Sequence, residues 1–358
     1  MALRGHEGWH AQQRQIHTPE RWEDLHRSLQ RDVEHLCFLN PFLLPEMHRE
    51  IKEAYKLKLT TIPGAYVFEI PCEEGEQYIA LDSGEEATIF VSPHTGVAHR
   101  TLSLSPFVFM DAAGIVAAKA LHVEEEDRVL DVCAGPGGKA LVLACSMFSK
   151  KFQRGLDPAS IRGRLVCNDF TKARATRMQE AMMGFLPPIL FLDQGGAGPR
   201  VIFTSVDART PSNTMEKQGP FDKILVDAPC TSDRSLARGG EGGRLSSWSP
   251  AIHSVSSEQQ VKLLFTQLWL LEEGGVLLYC SSSLSPAETD NVVARLLLKA
   301  KHQFELEVLP LDAEVCDWVP SPAVESSDWG IRIMPDRAPI GPLYMSRIRC
   351  LRRLHEGL

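Results

Sequence analysis

A mostly parallel, doubly wound α/β sheet behind a small N-terminal α+β module is the fold that this sequence predicts. Two observations predict it. From about Val123 onward, short apolar runs of strand type alternate with helical segments, the pattern of a parallel sheet wound by right-handed crossovers. A glycine-rich turn, Gly135-Pro136-Gly137-Gly138, then joins the first of these runs to its helix, and acidic residues stand at the ends of the runs that follow. The chain has 358 residues, enough for one large domain and an appendage. The expected divisions are a flexible start over 1–18, an accessory module over 19–105, and the α/β domain over 106–358.

Each element has a local reason. Thr18-Pro19 is a good helix start, an N-cap followed by proline at the first helical position. Trp22, Leu25, Leu29, Val33 and Leu36 then recur at three- and four-residue steps, which predicts one apolar helix face. Pro41 and Pro45 break that pattern, and a second helix is expected from Glu46 to about Lys58. Residues 65–91 are rich in β-branched and aromatic types, interrupted by Pro71, Gly75 and Gly84, and read as a few short strands. In the larger domain, strands are expected at Arg128–Cys133, Arg164–Asp169, Arg200–Ser205, Lys223–Val226 and Val276–Cys280. Helices are expected at Gly138–Phe148, after Asp169 through Met183, at Glu258–Leu271, and from Pro286 to about Lys299. Asp193–Pro199 reads as a surface connection. Ser235–Pro250, with four glycines beside Cys230, reads either as a lid or as a disordered insertion.

Composition narrows the function classes. Apolar residues make up 44% of the chain and charged residues 23%, ordinary values for a globular protein. No run approaches the eighteen apolar residues of a membrane span. The net charge is -8, whereas a nucleic-acid binder is more often basic. Contact with RNA therefore calls for a local basic patch, a protein partner, or both. Nine cysteines are scattered without any C-x-x-C pair, which argues for a reducing compartment and against both a disulfide framework and a zinc site. The first nineteen residues hold Arg4 and Arg14 against Glu7 alone. That composition fits the end of a mitochondrial transit peptide and equally an unstructured start.

The glycine turn lets backbone approach a ligand closely, and the following helix offers free N–H groups. Alone it is a weak signal, because a tight strand–helix corner has the same sequence. Asp169, Asp207 and Asp227 strengthen it. Each ends a successive strand, and ligands in open α/β sheets bind outside the carboxyl ends of strands.

Three segments together resemble the Nop2/Sun family of RNA cytosine-5 methyltransferases. They are Asp131-Val132-Cys133-Ala134-Gly135-Pro136-Gly137-Gly138-Lys139, Asp227-Ala228-Pro229-Cys230, and Tyr279-Cys280-Ser281-Ser282-Ser283-Leu284-Ser285-Pro286. The resemblance runs from about Phe107 to Leu351. Met110-Asp111-Ala112, Pro229-Cys230-Thr231-Ser232-Asp233-Arg234 and Gly330-Ile331-Arg332-Ile333-Met334-Pro335 are similar to the mitochondrial ribosomal-RNA members. The resemblance implies a Rossmann-like S-adenosylmethionine-dependent methyltransferase fold with a mostly parallel seven-stranded sheet. It implies that Cys133, Ala134, Gly135, Pro136, Gly137, Gly138 and Lys139 wrap the methionine part of S-adenosylmethionine. Asp169 then meets the ribose, and Asp207 and Asp227 lie near the adenine and the amino-acid end. Arg174 also matches a family position. Gly135 stands where the family usually has alanine, a change expected to be mild.

The same resemblance puts a cysteine where this chain has Ser282. Cytosine C5 is a poor nucleophile until a thiolate adds to C6, and cysteine suits that step because it ionises near neutrality when activated. By the resemblance, the attacking cysteine belongs at Ser282, and Cys230 assists product release, with Asp227 and Lys139 orienting cofactor and base. No histidine lies near Ser282 in sequence to act as a base. Loss or strong impairment of methyl transfer is expected. The alternative is an active enzyme that uses Cys230 or Cys280, although Cys280 stands about 6.6 Å away along a strand. The mitochondrial members imply ribosomal RNA, a pre-ribosomal particle and a helical-repeat protein of the transcription-termination-factor type as partners, and a mitochondrial location. Arg347, Arg349, Arg352 and Arg353 are the candidate phosphate contacts, or else a solvated edge strand.

Overall fold

The glycine-rich turn lies at the centre of a nine-stranded sheet in the computed structural model, which describes residues 4–33, 35–68, 89–91, 98–100, 104–153, 161–193, 196, 198–239 and 245–354. The chain opens with α1 (Gly5–Ile16) and α2 (Pro19–Gln30), then β1 (His35–Leu39), α3 (Pro45–Ala54), β2 (Leu57–Leu59) and β3 (Ala65–Phe68). Two short paired strands follow, β4 (Ile89–Val91) and β5 (Ala98–Arg100). β6 (Phe107–Asp111) leads into α4 (Ala112–Lys119). The order of the small sheet is β2-β3-β1-β6. It therefore takes in Phe107–Asp111, beyond the boundary expected at 105.

The large domain continues with β7 (Arg128–Asp131), α5 (Gly138–Gln153), β8 (Arg164–Asn168), α6 (Lys172–Phe185), β9 (Val201–Thr204), the single-turn α7 (Asn213–Glu216) and β10 (Phe221–Asp227). After α8 (Asp233–Arg238) come α9 (Ala251–Leu268), β11 (Leu271–Ser281), α10 (Asp290–Ala300), β12 (Phe304–Leu309) and α11 (Asp312–Trp318). The hairpin β13 (Val324–Ser326) and β14 (Ile331–Ile333), and the long β15 (Leu343–Arg353), complete it. Seven strands run in the order β9-β8-β7-β10-β11-β15-β12, and β13 and β14 extend the sheet at the end of β15. β7, β8, β9, β10 and β11 pair in parallel, and β15 runs antiparallel to both neighbours. The fold is the Rossmann-like methyltransferase type. Apolar side chains of α4, α5 and α6 fill one face of the sheet, and those of α9 and α10 fill the other. Strand order reverses between β7 and β10, which opens a crevice at their carboxyl ends.

Three local expectations need correction. The start expected to be flexible is helix α1, whose Trp9 is fully buried. The apolar face predicted to run from Trp22 to Leu36 stops with α2 at Gln30, and Leu36 lies on β1 opposite Met110. Helical spacing there coincides with a strand whose inner residues happen to continue the count. The helix expected to reach Lys58 ends at Ala54, since Lys56 takes a left-handed φ of 46° and releases the chain into β2. Thr18 does cap α2, accepting a hydrogen bond from the Arg21 amide at 3.3 Å.

Candidate functional site

Backbone geometry at the end of β7 makes the cradle. The Ala134 amide donates to the Asn168 carbonyl at 2.7 Å, and the Gly137 amide to the Ala134 carbonyl at 2.8 Å. Gly137 has φ +117°, a conformation only glycine adopts freely, and α5 starts at the next residue. Cys133, Asn168, Phe170, Asp207, Pro229 and Gln260 line a cavity of about 200 Å³ beside the loop. The site thus has what a nucleoside-bearing cofactor needs: a glycine cradle, a helix N-terminus and carboxylates at strand ends.

Gly135 is not a mild change. A Cβ on it would lie 2.5 Å from Asp169 Oδ2 and 2.8 Å from Arg174 Cβ. Its absence lets the Asp169 carboxylate fold against the loop. Asp169 Oδ2 accepts from the Gly135 amide at 3.1 Å and from Arg174 Nε at 3.1 Å, and Oδ1 accepts from the Thr171 amide at 2.9 Å. Arg174 also donates to the Gly135 carbonyl. Asp169, Gly135 and Arg174 form one clasp, which fills Oδ2 and leaves Oδ1 with room for one further donor such as a ribose hydroxyl. Asp207 is held in a similar way. Arg209 donates to it through Nε at 2.9 Å and Nη2 at 2.8 Å, and its guanidinium lies 5.6 Å from the Phe170 ring centroid. Arg209 pulls the Asp207 carboxyl below its usual range.

Asp131, Lys139 and Asp227 stand together at the switch point. Lys139 Nζ lies 2.8 Å from Asp227 Oδ2. Burial alone would depress the lysine, but the pairing with Asp227 wins and raises it. Asp131 is fully buried. Apart from a loose approach to the Cys133 amide, neither of its oxygens has a hydrogen-bond partner. Burial pushes its carboxyl up to about 7, against the opposing pull of Lys139. Cys280 is in register with Asp227 on the neighbouring strand and fully buried, and burial drives its thiol well above the ordinary range.

Cys230 and Ser282 meet. Their Sγ and Oγ atoms are 3.1 Å apart, and both residues are half-buried. Burial raises the Cys230 thiol, and the Ser282 hydrogen bond only partly offsets it. Beneath them lies a buried polar group that the sequence did not reveal. Glu288 Oε2 accepts from the Thr231 amide and hydroxyl, each at 3.0 Å, and Oε1 lies 3.5 Å from His253 Nδ1. Thr231 Oγ1 is also 3.4 Å from Ser283 Oγ. Ser232 holds a left-handed φ of 50°, a strained turn next to the thiol. A histidine is therefore near the pair in space, joined to it through Thr231, although none is near in sequence. Asp233 is fully buried and is the hub for the loop after Ser282. Its Oδ2 accepts from the Leu284 amide at 2.6 Å, and its Oδ1 from Trp9 Nε1 at 2.9 Å and Gln13 Nε2 at 2.7 Å. Arg234 clasps the end of α2 and the Gly341 carbonyl.

Two expectations about the rim change. The C-terminal arginines are already engaged. Arg347 binds Glu314 at 3.2 Å, Arg349 binds Glu307 at 3.3 Å, Arg352 binds Glu305 at 2.5 Å, and Arg353 donates to two backbone carbonyls. Their strand β15 is paired on both sides, so it is no edge. Of the glycine-rich segment expected as a lid or a disordered insertion, 235–238 belong to α8, 245–250 pack through Trp248, and 240–244 lie outside the described residues. In the connection 193–199, residues 194, 195 and 197 lie outside them too.

The model of the 16S rRNA methyltransferase RsmB/F family matches residues 118–349. This chain belongs to the RsmB/F (Nop2/Sun) family. It is 30% identical over 209 residues to the 5-cytosine rRNA methyltransferase NSUN4 of Mus musculus, covering 58% of this chain and 49% of that protein. It is 25% identical over 256 residues to the mitochondrial tRNA (cytosine(34)-C(5))-methyltransferase of the same species, covering 70% and 66%. The chain thus spans from half to two thirds of these relatives' length. Among solved structures, NSun6 from Pyrococcus horikoshii with SFG superposes at a TM-score of 0.62 with 17% identity, covering 96% of this chain and 97% of that one. That likeness concerns the fold, and it takes in most of the front part, which lies outside the residues that the family model matches. S-adenosylmethionine is the cofactor that goes with this RsmB/F fold, and the cradle at 133–139 fits it.

Proposed function

We propose that this chain is an RNA-binding Nop2/Sun protein of ribosome assembly, mitochondrial in setting, that keeps S-adenosylmethionine and is weak or inactive in methyl transfer. The observation that carries this reading is Ser282, whose hydroxyl faces the Cys230 thiol where the chemistry needs a second thiol. When bound, the cofactor supplies an electrophilic methyl group. The protein's part is to add a nucleophile to cytosine C6 and later remove the C5 proton. A serine hydroxyl cannot make that addition without a base on it, and the nearest imidazole, His253, is turned to Thr231 and Glu288. The rRNA names of the relatives support ribosomal RNA and a pre-ribosomal particle as partners, and their mitochondrial names support the location. The acidic chain and its engaged C-terminal arginines support a second, protein partner that carries the basic surface, and the resemblance to the mitochondrial members suggests a helical-repeat type.

A second reading is an active enzyme attacking through Cys230. The half-exposure of that thiol favours it over Cys280. Bisulfite sequencing of cellular RNA with and without the protein separates the two readings. The first expects every 5-methylcytosine to persist after deletion, while RNA still copurifies with the protein. A site that loses its methylation, restored by the native chain and not by Cys230→Ala, establishes the second.

A further inference from the structure

Asp233 carries four hydrogen bonds, two from each of two distant segments. Trp9 and Gln13 of α1 hold Oδ1 at 2.9 and 2.7 Å. The Leu284 amide at 2.6 Å and the Ser283 hydroxyl at 3.4 Å hold Oδ2. Ser283 and Leu284 directly follow Ser282. Apolar packing doubles the link, because Trp9, Trp22, Leu236, Trp248 and Leu284 share one buried cluster. Trp9 stands edge-on to Trp22, with ring centroids 5.0 Å apart. All of Trp9, Gln13 and Asp233 are fully buried. A buried carboxylate missing its donors on one side is costly, so the two ends of this bridge are energetically coupled.

We propose that helix α1 is a positioning element for the candidate catalytic loop, with Trp9 and Gln13 acting through Asp233 to fix the backbone at Leu284 and so hold Ser282 against Cys230. The proposal rests on the reading of Cys230 and Ser282 as the site. Its chemistry is directional. Gln13 must donate, and Asp233 must accept on both sides. Asp233→Asn offers acceptors to only one side. Satisfying Trp9 and Gln13 turns its NH2 toward the Leu284 amide, donor against donor. Gln13→Glu sets a second carboxylate against Asp233. The double variant Gln13→Glu/Asp233→Asn is complementary again at residue 13 and at Leu284, and leaves only the Trp9 N–H facing the asparagine NH2. The new glutamate accepts from the asparagine NH2, and the asparagine oxygen stays free for the Leu284 amide.

The test is the alkylation rate of Cys230 by iodoacetamide in the full chain, read peptide by peptide by mass spectrometry, with Cys316 on α11 as a remote, partly exposed internal control. It needs neither cofactor nor RNA, so it can fail while the proposed function stands, and the reverse. Each single variant is expected to raise the Cys230 rate about tenfold, the scale of a lost hydrogen bond to a charged group. The double variant is expected to fall below both single variants and to stay above native by about the rise seen in Trp9→Phe. Trp9→Phe, which keeps a buried ring and removes only the N–H, is expected to give a smaller rise and serves if the carboxylate variants fold poorly. Native rates in the single variants and in Trp9→Phe would overturn the proposal. So would a parallel rise at Cys316, or a double variant as reactive as the worse single one.

Discussion

The Cys230 sulfur and the Ser282 oxygen lie 3.1 Å apart because β10 and β11 are parallel neighbours in register, Asp227 opposite Cys280. Each residue sits just past its own strand end, where the chain has left the sheet and can turn toward the other. The Lys139–Asp227 pair lies at the same carboxyl edge. Pocket and thiol are thus consequences of one reversal of strand order, and a serine at 282 fits that geometry.

The pH response of Cys230 follows from its surroundings. Burial raises the thiol and the Ser282 hydrogen bond opposes the rise. Ser282→Ala removes the opposing contact. The midpoint of the iodoacetamide pH–rate profile at Cys230 is expected to move to higher pH in that variant. A midpoint that stays or falls would show that the Ser282 hydroxyl does not stabilise the thiolate.

Asp131 makes stability depend on pH. Its folded carboxyl is raised from 3.8 to about 7. A carboxyl raised in the folded state binds its proton more tightly there, so its stabilising contribution is complete below the unfolded value. That contribution is lost as pH rises through the folded one, between about 4 and 7. Asp131→Asn is neutral throughout. Urea denaturation is expected to show it more stable than the native chain at pH 8, on the order of 2 kcal/mol, and close to native at pH 4.5. Equal differences at both pH values would refute the assignment.

Asp169 has two duties, the clasp on Gly135 and Arg174 and the expected ribose contact. Asp169→Ala strands the Gly135 and Thr171 amides and frees Arg174. A stability loss of about 1–3 kcal/mol is expected in urea, together with weaker S-adenosylmethionine binding by calorimetry. Binding heat unchanged from the native chain would remove Asp169 from the cofactor site.

The sheet was legible because alternating strands and helices leave local marks that tertiary packing does not override. Gly138, Lys172 and Asp290 start helices close to where period and caps place them. The acids at strand ends were legible for the same reason, since Asp169 and Asp227 close apolar runs. What escaped was set by long-range partners. Nothing local in Gly5–Ile16 announces a helix, and its order comes from Trp9 and Gln13 meeting Asp233, more than two hundred residues away. His253 and Glu288 sit 35 positions apart and become partners only when α9 packs against the turn after β11. The arginines of β15 looked free because their glutamates lie on β12 and α11.

Placing a sulfur at residue 282 tests what the site can do. Ser282→Cys is nearly isosteric, and residue 282 is only half-buried, so stability is expected to stay within about 0.5 kcal/mol of native. The new thiol would stand where the Ser282 hydroxyl now meets Cys230, with Lys139 and Asp227 still paired beside the cofactor loop. Its surroundings are less closed than those of Cys280, so burial opposes ionisation less there. Tritium transfer from labelled S-adenosylmethionine to the copurified RNA is expected to rise at least about tenfold over native, which asks for only about 1.4 kcal/mol of barrier lowering. The control is Ser282→Cys/Cys230→Ala, which keeps the new nucleophile and lacks the thiol assigned to product release. It should hold a covalent RNA adduct without turnover. Should Ser282→Cys bind cofactor and RNA and still transfer no methyl group, the fault lies deeper than the nucleophile. The Asp169 clasp and the buried Thr231–Glu288–His253 group would then be the places where the pocket has ceased to align a base.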